Sequence, residues 1–460
     1  MRGVTRAVPT LRFSVLEVMS LDDSSSVSVS ILVTVPGFED ACSMELQRKL
    51  GVPASAVSAV PGNVTCRLDR VNLAEASRAL LRLRSAEHLY ATLFWGTVDG
   101  ICGEDGLACL QAAVRSISES EWMGCLALWA ACTGREGGSA AWESGLKFKV
   151  LKKRSGTHAF SSTELAQHAF AAVAEAHPAW TGDIDHPELT LVVRLSGATL
   201  HLAVPLTGPE NGVVWKQEAS ESGFVGGGPS GAGRDTRVAT PLKPPIAFGL
   251  VASAGLEFGD ILVDPFAGCG TVAEVAALEG RDLLCRIRHR APRAFCISGD
   301  FDAGAVACTA TNARALEAAA SLAVIDVVRW DASRLPLKRA VADRVTTDLP
   351  FGRKCGSRAG NKGLYPAFFF ECARVLRGPG SRAAVLSADR GSLRRAATVA
   401  AAAGALRVET EHHINIGGLN GVALVMGPCL SGGGGGKSGG LQDDQKRTPR
   451  DATKPLAAPL

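Results

Sequence analysis

The stretch Asp348-Leu349-Pro350-Phe351-Gly352 places a carboxylate, a stiff turn and an aromatic ring at the end of an apolar strand from Val341 to Thr347, broken by Asp343 and Arg344. These residue types suit the holding of a flat base so that its exocyclic amino nitrogen faces an electrophile. Asp348 can accept one amino hydrogen, and the backbone carbonyl of Leu349 or Pro350 can accept the other. Phe351 can stack on the base, Pro350 stiffens the backbone, and Gly352 permits the sharp exit. An ordinary strand-to-loop turn uses the same Asp, Pro and Gly, so the motif needs support from elsewhere in the chain.

That support lies upstream. Asp264-Pro265-Phe266-Ala267-Gly268-Cys269-Gly270-Thr271 falls where a buried strand ends and a helix begins. Glycines there let a ligand approach the backbone, and the helix start offers free N–H groups. Neither the dinucleotide fingerprint nor the phosphate-binding loop is present, and an acid at the strand end suits a cationic or neutral ligand better than a phosphate. A second strand ends at Gly299-Asp300-Phe301-Asp302. A carboxylate there is placed to grip ribose hydroxyls, with Asp300 as the candidate and Asp302 as its rival for the role of helix cap. Asp331 follows a third strand and is either an acceptor for an adenine amine or a solvated cap. Together these residues describe an adenosine-bearing ligand across a sheet edge, with Asp348 to Phe351 beside it. A methyl sulfonium carried on adenosine is such a ligand, and in-line displacement by an amino nitrogen is the matching reaction.

Basic residues recur in three places: Arg353, Lys354, Arg358 and Lys362; Arg281, Arg286, Arg288, Arg290 and Arg293; and Lys147, Lys149, Lys152, Lys153 and Arg154. The net charge of only +4 means that any polyanion must be met locally by such clusters. No zinc-ligand spacing appears, and His158, His168 and His201 stand isolated.

The elements that must position these residues follow from periodicity. From Thr240 onward strands alternate with helices: strands at 261–264, 294–298, 323–329, 341–347 and 383–387, helices at 271–278, 302–318, 365–376 and 392–402, and a closing strand pair at 408–415 and 421–426. This is an α/β, doubly wound Rossmann-like sheet. Ahead of it, strands at 12–18 and 27–35, a helix ending at Gly51, a hairpin over 56–68, a helix over 72–84 and a strand at 89–95 give an α+β ferredoxin-like order. One or two helices follow over 106–132. A further unit has a strand at 146–151, a helix from about 164 to 176 capped by Ser161 or Ser162, and strands at 188–195 and 199–204. Residues 207–238 lose all periodicity and fill with Gly, Ser and Pro.

The chain resembles a family over most of residues 12–427. Thr240 to Ala247, Asp264 to Thr271, Asp348 to Gly352, Gly363-Leu364-Tyr365-Pro366 and Ile416-Gly417-Gly418-Leu419 resemble the class I S-adenosylmethionine-dependent domain of the THUMP-containing RNA guanosine N2-methyltransferases. Phe148 to Val150 and Arg154 to Ser162 resemble the THUMP module. Val35 to Asp40 and Leu83 to Ala86 resemble the ferredoxin-like part before it. The resemblance implies N2-methylation of a guanosine in tRNA, or in a spliceosomal small nuclear RNA, with S-adenosyl-L-methionine as cofactor. It also implies a small zinc-binding activator subunit as partner. By position, Asp264, Phe266, Gly268, Gly270 and Thr271 line the cofactor, Asp300 holds ribose and Asp331 lies by adenine. Asp348, Leu349, Pro350 and Phe351 hold the base, and Lys149, Lys152, Lys153, Arg154, His158, Ser161 and Ser162 face RNA. The chain departs from the family at Lys243, and residues 208–238 and 281–293 look inserted.

The expected organisation is therefore a ferredoxin-like region at 1–140, a THUMP domain at 141–207, a linker at 208–238, the methyltransferase domain at 239–428 and a Gly-rich tail at 429–460. The rival is an RNA-binding scaffold with an inactive catalytic domain. The 13 scattered cysteines form no Cys-x-x-Cys pair, which fits a reducing compartment. No apolar run approaches the length of a membrane span. Arg2, Arg6 and Arg12 precede the first acid, Glu17, but Pro9 argues against an organellar presequence. The expected location is cytoplasmic, with the nucleus as alternative.

Overall fold

A computed structural model describes residues 27–35, 37–135, 145–207, 225–226, 233–234, 241–257, 259–284, 294–320, 323–352 and 356–429. The expected strand at 12–18, the basic stretch 285–293, nearly all of the linker and the tail beyond Cys429 lie outside the described residues.

The first half builds one eight-stranded sheet. Its strands are β1 (Val27–Thr34), β2 (Val57–Val60), β3 (Asn63–Val71), β4 (His88–Thr97), β5 (Lys147–Ser155), β6 (Thr181–Gly182), β7 (Leu189–Ser196) and β8 (Thr199–Pro205). The spatial order is β2-β3-β1-β4-β8-β7-β5-β6. The β2-β3-β1-β4 part has the ferredoxin-like order, and β4 pairs antiparallel with β8, so the two expected N-terminal units share a single sheet.

Alternation along the strands sends Ile31, Val33, Leu68, Leu89, Leu191 and Leu202 to one face, where they form a fully buried core. The helices belonging to this half are α1 (Glu39–Leu50), α2 (Leu73–Leu80), α3 (Gly106–Arg115), α4 (Glu119–Thr133) and α5 (Ser162–Ala176). The region 106–132 thus holds two helices. Gly51, at φ 69°, ends α1 in the left-handed conformation, as its sequence position predicts.

After the two-residue strands β9 (Val225–Gly226) and β10 (Gly233–Arg234), the second half forms a seven-stranded sheet. Its strands are β11 (Ile261–Asp264), β12 (Ala294–Asp300), β13 (Ala323–Arg329), β14 (Arg344–Asp348), β15 (Arg382–Ser387), β16 (Leu406–Ile416) and β17 (Leu419–Pro428), in the order β13-β12-β11-β14-β15-β17-β16. Neighbours from β13 to β15 run parallel, and β17 runs antiparallel to β15. The order reverses between β11 and β14, which opens a crevice at the carboxyl ends of those strands.

Helices α6 (Pro244–Ser253), α7 (Thr271–Leu284) and α8 (Ala303–Ala320) cover one face through Leu262, Ala384 and Leu386. Helices α9 (Arg358–Val375) and α10 (Arg390–Ala402) cover the other through Val263, Ala383 and Val385. The inner strands β11, β14 and β15 are buried on both sides, and β11 and β15 accordingly read as largely apolar runs.

Helix α9 begins seven residues before the expected Tyr365, at Arg358, where Ser357 Oγ accepts from Gly360 N at 3.0 Å. Pro366 lies inside it. A proline reads from sequence as a first-turn residue, and here it stands in a helix interior instead.

The halves meet through named contacts. Phe38 is buried in the core of the second half, lying so close to Gly249 that a Cβ there would be 2.1 Å from its ring. Glu279 on α7, 5% exposed, accepts from Arg48 at 2.6 Å and from the Arg84 guanidinium. Arg84 N also donates to Glu45 on α1 at 2.9 Å. Removing one member of this buried ionic group strands the others, so it fixes an orientation more than it adds stability.

Candidate active site

A cavity of about 1270 Å³ opens at the carboxyl ends of β11, β12 and β14. Asp264, Phe266, Gly268, Thr271, Asp300, Asp331, Asp348, Leu349, Pro350 and Phe351 all line it, whereas Gly270, also expected there, packs toward Thr309 instead.

The loop from β11 into α7 is pinned from several sides. Gly268 and Gly270 take φ of 56° and 85°, a region costly for any residue with a Cβ. A Cβ on Gly270 would also lie 3.0 Å from Thr309 Cγ2. From α8, Thr309 Oγ1 donates to Gly268 O at 3.0 Å and Asn312 Nδ2 to Cys269 O at 2.8 Å. Trp330 Nε1 donates to Pro265 O at 3.1 Å.

The five carboxylates that line the cavity stand in different environments. Asp264 is 1% exposed and accepts from Thr347 Oγ1 at 2.7 Å. Burial, with a smaller push from the Asp300 charge, raises its pKa to about 7. Asp300 accepts from Gly268 N at 3.1 Å and Asp302 N at 3.0 Å, so it belongs to the loop around the cavity. Asp302 accepts from Ala305 N at 2.8 Å, making it the helix cap. The two sequence candidates at this strand end are thereby separated. Asp331 accepts from Ser333 N at 2.8 Å and Ser333 Oγ at 2.7 Å on the cavity rim.

Asp348 ends β14 with Oδ1 buried and unpartnered among the described residues. Burial, and then the Asp264 charge, holds its carboxyl well above the usual range. Such an acceptor costs about 1–3 kcal/mol until a donor reaches it.

Of the two carbonyls named from sequence, that of Pro350 is occupied by Tyr365 Oη at 2.6 Å and Asn361 Nδ2 at 3.0 Å. The sequence reading gave neither residue a site role: Tyr365 stood only in the Gly363-Leu364-Tyr365-Pro366 match, and Asn361 lay ahead of the expected helix start. Lys243, Phe301, Leu364, Ile416 and Leu419 also line the cavity. The signal for Phe301 was available: an aromatic residue beside a strand-end carboxylate, 70% exposed in the structure.

The basic cluster on β5 does not act as one surface. Strand alternation puts Lys152 and Arg154 on the face of Phe148, which stacks on Phe170 of α5 at 4.6 Å. Lys152 Nζ donates to Thr163 Oγ1 at 2.9 Å. Lys149 and Lys153 lie on the opposite face. There, Lys153 is in register with Arg194, Arg194 with His201, and His201 with Trp95.

The Arg194 guanidinium lies 5.9 Å from the Tyr90 ring centroid, and its Nη1 has no hydrogen-bond partner among the described residues. Burial, then the Arg194 charge, holds His201 neutral, with a pKa of about 3. Trp95 is 39% exposed. This face reaches the cavity rim where Lys243 pairs with Glu87, the residue before β4.

His158 Nε2 donates to Gly197 O at 2.9 Å, bracing a turn. Ser161, not Ser162, caps α5, accepting from Glu164 N at 3.2 Å. Among the described residues no three side chains could hold a metal ion together, and no helix is long and apolar enough to cross a membrane.

Against known proteins, the family model described as RMKL-like, methyltransferase domain, matches residues 232–420. The chain is 27% identical over 292 residues to tRNA (guanine(6)-N(2))-methyltransferase THUMP3 of Mus musculus, which takes in 61% of this chain and 51% of the relative. It is 28% identical over 363 residues to tRNA (guanine(6)-N2)-methyltransferase of Thermus thermophilus, covering 79% of this chain and 90% of that one. The chain thus spans about half the length of the mammalian relatives it matches. Among solved structures, TrmN from Thermus thermophilus superposes with a TM-score of 0.59 at 23% identity, covering 87% of this chain and 99% of the other. That likeness establishes the fold.

Proposed function

We propose, from the match of residues 232–420 to the RMKL-like methyltransferase domain, that this chain transfers a methyl group from S-adenosyl-L-methionine to the exocyclic N2 of a guanosine, with tRNA as the favoured substrate. The observation that carries this reading is the buried, unpartnered Asp348 Oδ1 in a cavity ringed by strand-end carboxylates. The guanine N2 in the relatives' names favours that nitrogen over other amines.

The residues present fit the cofactor. Gly268 leaves room at the backbone, and Asp300 and Asp331 offer acceptors to ribose hydroxyls and an adenine amine. Asp264 adds negative charge near the position of a cationic sulfur. The cofactor supplies an electrophilic methyl group. The protein's part is placement: Asp348 and the Leu349 carbonyl accept the two amino hydrogens, and Phe351 supports the base face. Asp348 also stabilises positive charge as it develops on nitrogen.

RNA is held, in this reading, by the open sheet face, where Lys149, Lys153 and Arg194 meet phosphates and Trp95 and Tyr90 offer stacking surfaces. Replacing Lys153 and Arg194 together with Ala should lower the slope of log affinity against log salt by about 1.4–1.8. Lys152→Ala, on the helix side, should change it by less than about 0.5. Filter binding across a salt series measures both, and equal slopes for all three proteins would remove the face from the interface.

A small zinc-binding activator subunit and a cytoplasmic location remain part of the proposal. Isothermal titration with S-adenosyl-L-methionine, with and without the activator, tests the enzyme class. Binding supports it, and a chain that binds RNA but never the cofactor would be a scaffold.

A further inference from the structure

Below the Asp348–Phe351 turn, α9 presents two buried donors one helical turn apart. Tyr365 is 0% exposed and Asn361 1%. Both donate to Pro350 O, at 2.6 and 3.0 Å. A carbonyl oxygen offers two lone pairs, so this one is saturated.

The donors' own partners fix their directions. A carbonyl only accepts, so the phenol proton points at Pro350, and Tyr365 Oη accepts from Ser387 Oγ at 2.8 Å. Ser387 Oγ in turn accepts from Asp389 N at 3.0 Å. The second hydrogen of Asn361 Nδ2 goes to Asp389 Oδ2 at 3.1 Å, and Asp389 Oδ1 caps α10 by accepting from Ser392 N at 3.3 Å. Chains of bonds running one way strengthen each other.

We propose that Tyr365 and Asn361 are positioning residues of the transfer site: they set the Pro350–Phe351 peptide plane, and they withdraw the Pro350 carbonyl from the substrate. The pyrrolidine ring fixes φ of Pro350, which leaves ψ as the free torsion. Two donors on Pro350 O set that ψ. Peptide planarity then fixes the N and Cα of Phe351, the base from which its side chain reaches the cavity. On the other side, Leu349 N donates to Leu386 O at 2.9 Å, so the turn is anchored on both flanks. The amine is left with two acceptors, Asp348 and the Leu349 carbonyl, which matches its two hydrogens. This inference rests on the methyl-transfer reading and adds two residues to it.

The test uses the full chain, with labelled S-adenosyl-L-methionine and the small-RNA fraction that the wild type methylates best. Tyr365→Phe keeps the ring and removes one donor. It should lower kcat at least about tenfold, since small misplacements of a reacting group are expensive. The dissociation constant for S-adenosyl-L-methionine and the KM for RNA should stay within about threefold. Asn361→Leu, which removes the donor at similar volume and adds no charge beside Asp389, should show the same split and stands in if the first variant does not fold. Unchanged kcat in both would overturn the inference. A fall in kcat that arrives together with weaker cofactor binding and a lower Tm would also overturn it, in favour of a general structural role. A wild-type chain that transfers no methyl group would instead overturn the functional reading, and this inference with it.

Discussion

Asp348→Ala should lower kcat for methyl transfer by about a hundred- to a thousandfold, the scale seen when a group aimed at developing charge is removed. The side chain ends β14 with Oδ1 unpartnered, so the fold maintains a desolvated carboxyl that nothing among the described residues satisfies. Deleting it relieves that cost and should leave the protein at least as stable as the wild type. The dissociation constant for S-adenosyl-L-methionine should move by less than about threefold, because Gly268, Asp300 and Asp331, the residues assigned to the cofactor, stay in place. Loss of cofactor binding in this variant would show that Asp348 holds the cofactor and not the base.

The pH dependence carries the same claim. Burial holds the Asp348 carboxyl protonated well above the usual range. If the ionised form accepts the amine, kcat/KM rises with pH as that proton leaves, and Asp348→Asn flattens this arm.

Asp264→Asn should stabilise the ligand-free protein at pH 8 and leave it unchanged near pH 4. The sign follows from the raised folded-state pKa of about 7, against an ordinary 3.8. The folded chain holds a proton there that the unfolded chain releases, so this group favours folding below about 3.8 and ceases to do so as pH rises through about 7. At pH 8 the wild type therefore carries a buried charge costing up to about 4 kcal/mol. Asparagine retains an acceptor for Thr347 Oγ1 without the charge. Thermal unfolding at the two pH values measures the effect, expected as a gain of several degrees at pH 8 only. The same variant should bind S-adenosyl-L-methionine more weakly. It should also shift the rising pH arm toward acid, because the Asp264 charge is one cause of the Asp348 shift. Equal unfolding curves at pH 8 would mean that Asp264 is not ionised there in the folded protein.

The strand-end carboxylates were legible because their position depends only on where apolar runs stop. A doubly wound sheet brings all those stops to one edge, so Asp264, Asp300, Asp331 and Asp348 converge once the fold class is known. Other features depend on information that a linear pattern does not hold. Asp300 and Asp302 are equivalent on paper, and only the start of α8 at Ala303 makes Asp302 the cap. Five basic residues between Lys147 and Arg154 read as one patch, but a strand divides its side chains between two faces, and Arg194 joins one of them from a neighbouring strand. The roles of Tyr365 and Asn361 were not legible because the helix that brings both under Pro350 begins at Arg358, seven residues before the expected start. The contact of Phe38 with Gly249 pairs residues far apart in sequence, and no local pattern announces it.

The most direct test of the central claim is the identity of the methylated nucleoside. The recombinant chain, with and without the activator subunit, would be incubated with total small RNA and methyl-labelled S-adenosyl-L-methionine, and the RNA digested to nucleosides. The proposed function predicts label in N2-methylguanosine from the tRNA fraction; the same nucleoside from a small nuclear RNA fraction would keep the chemistry and move the substrate. Label on any other nucleoside, or none in either condition, would contradict it.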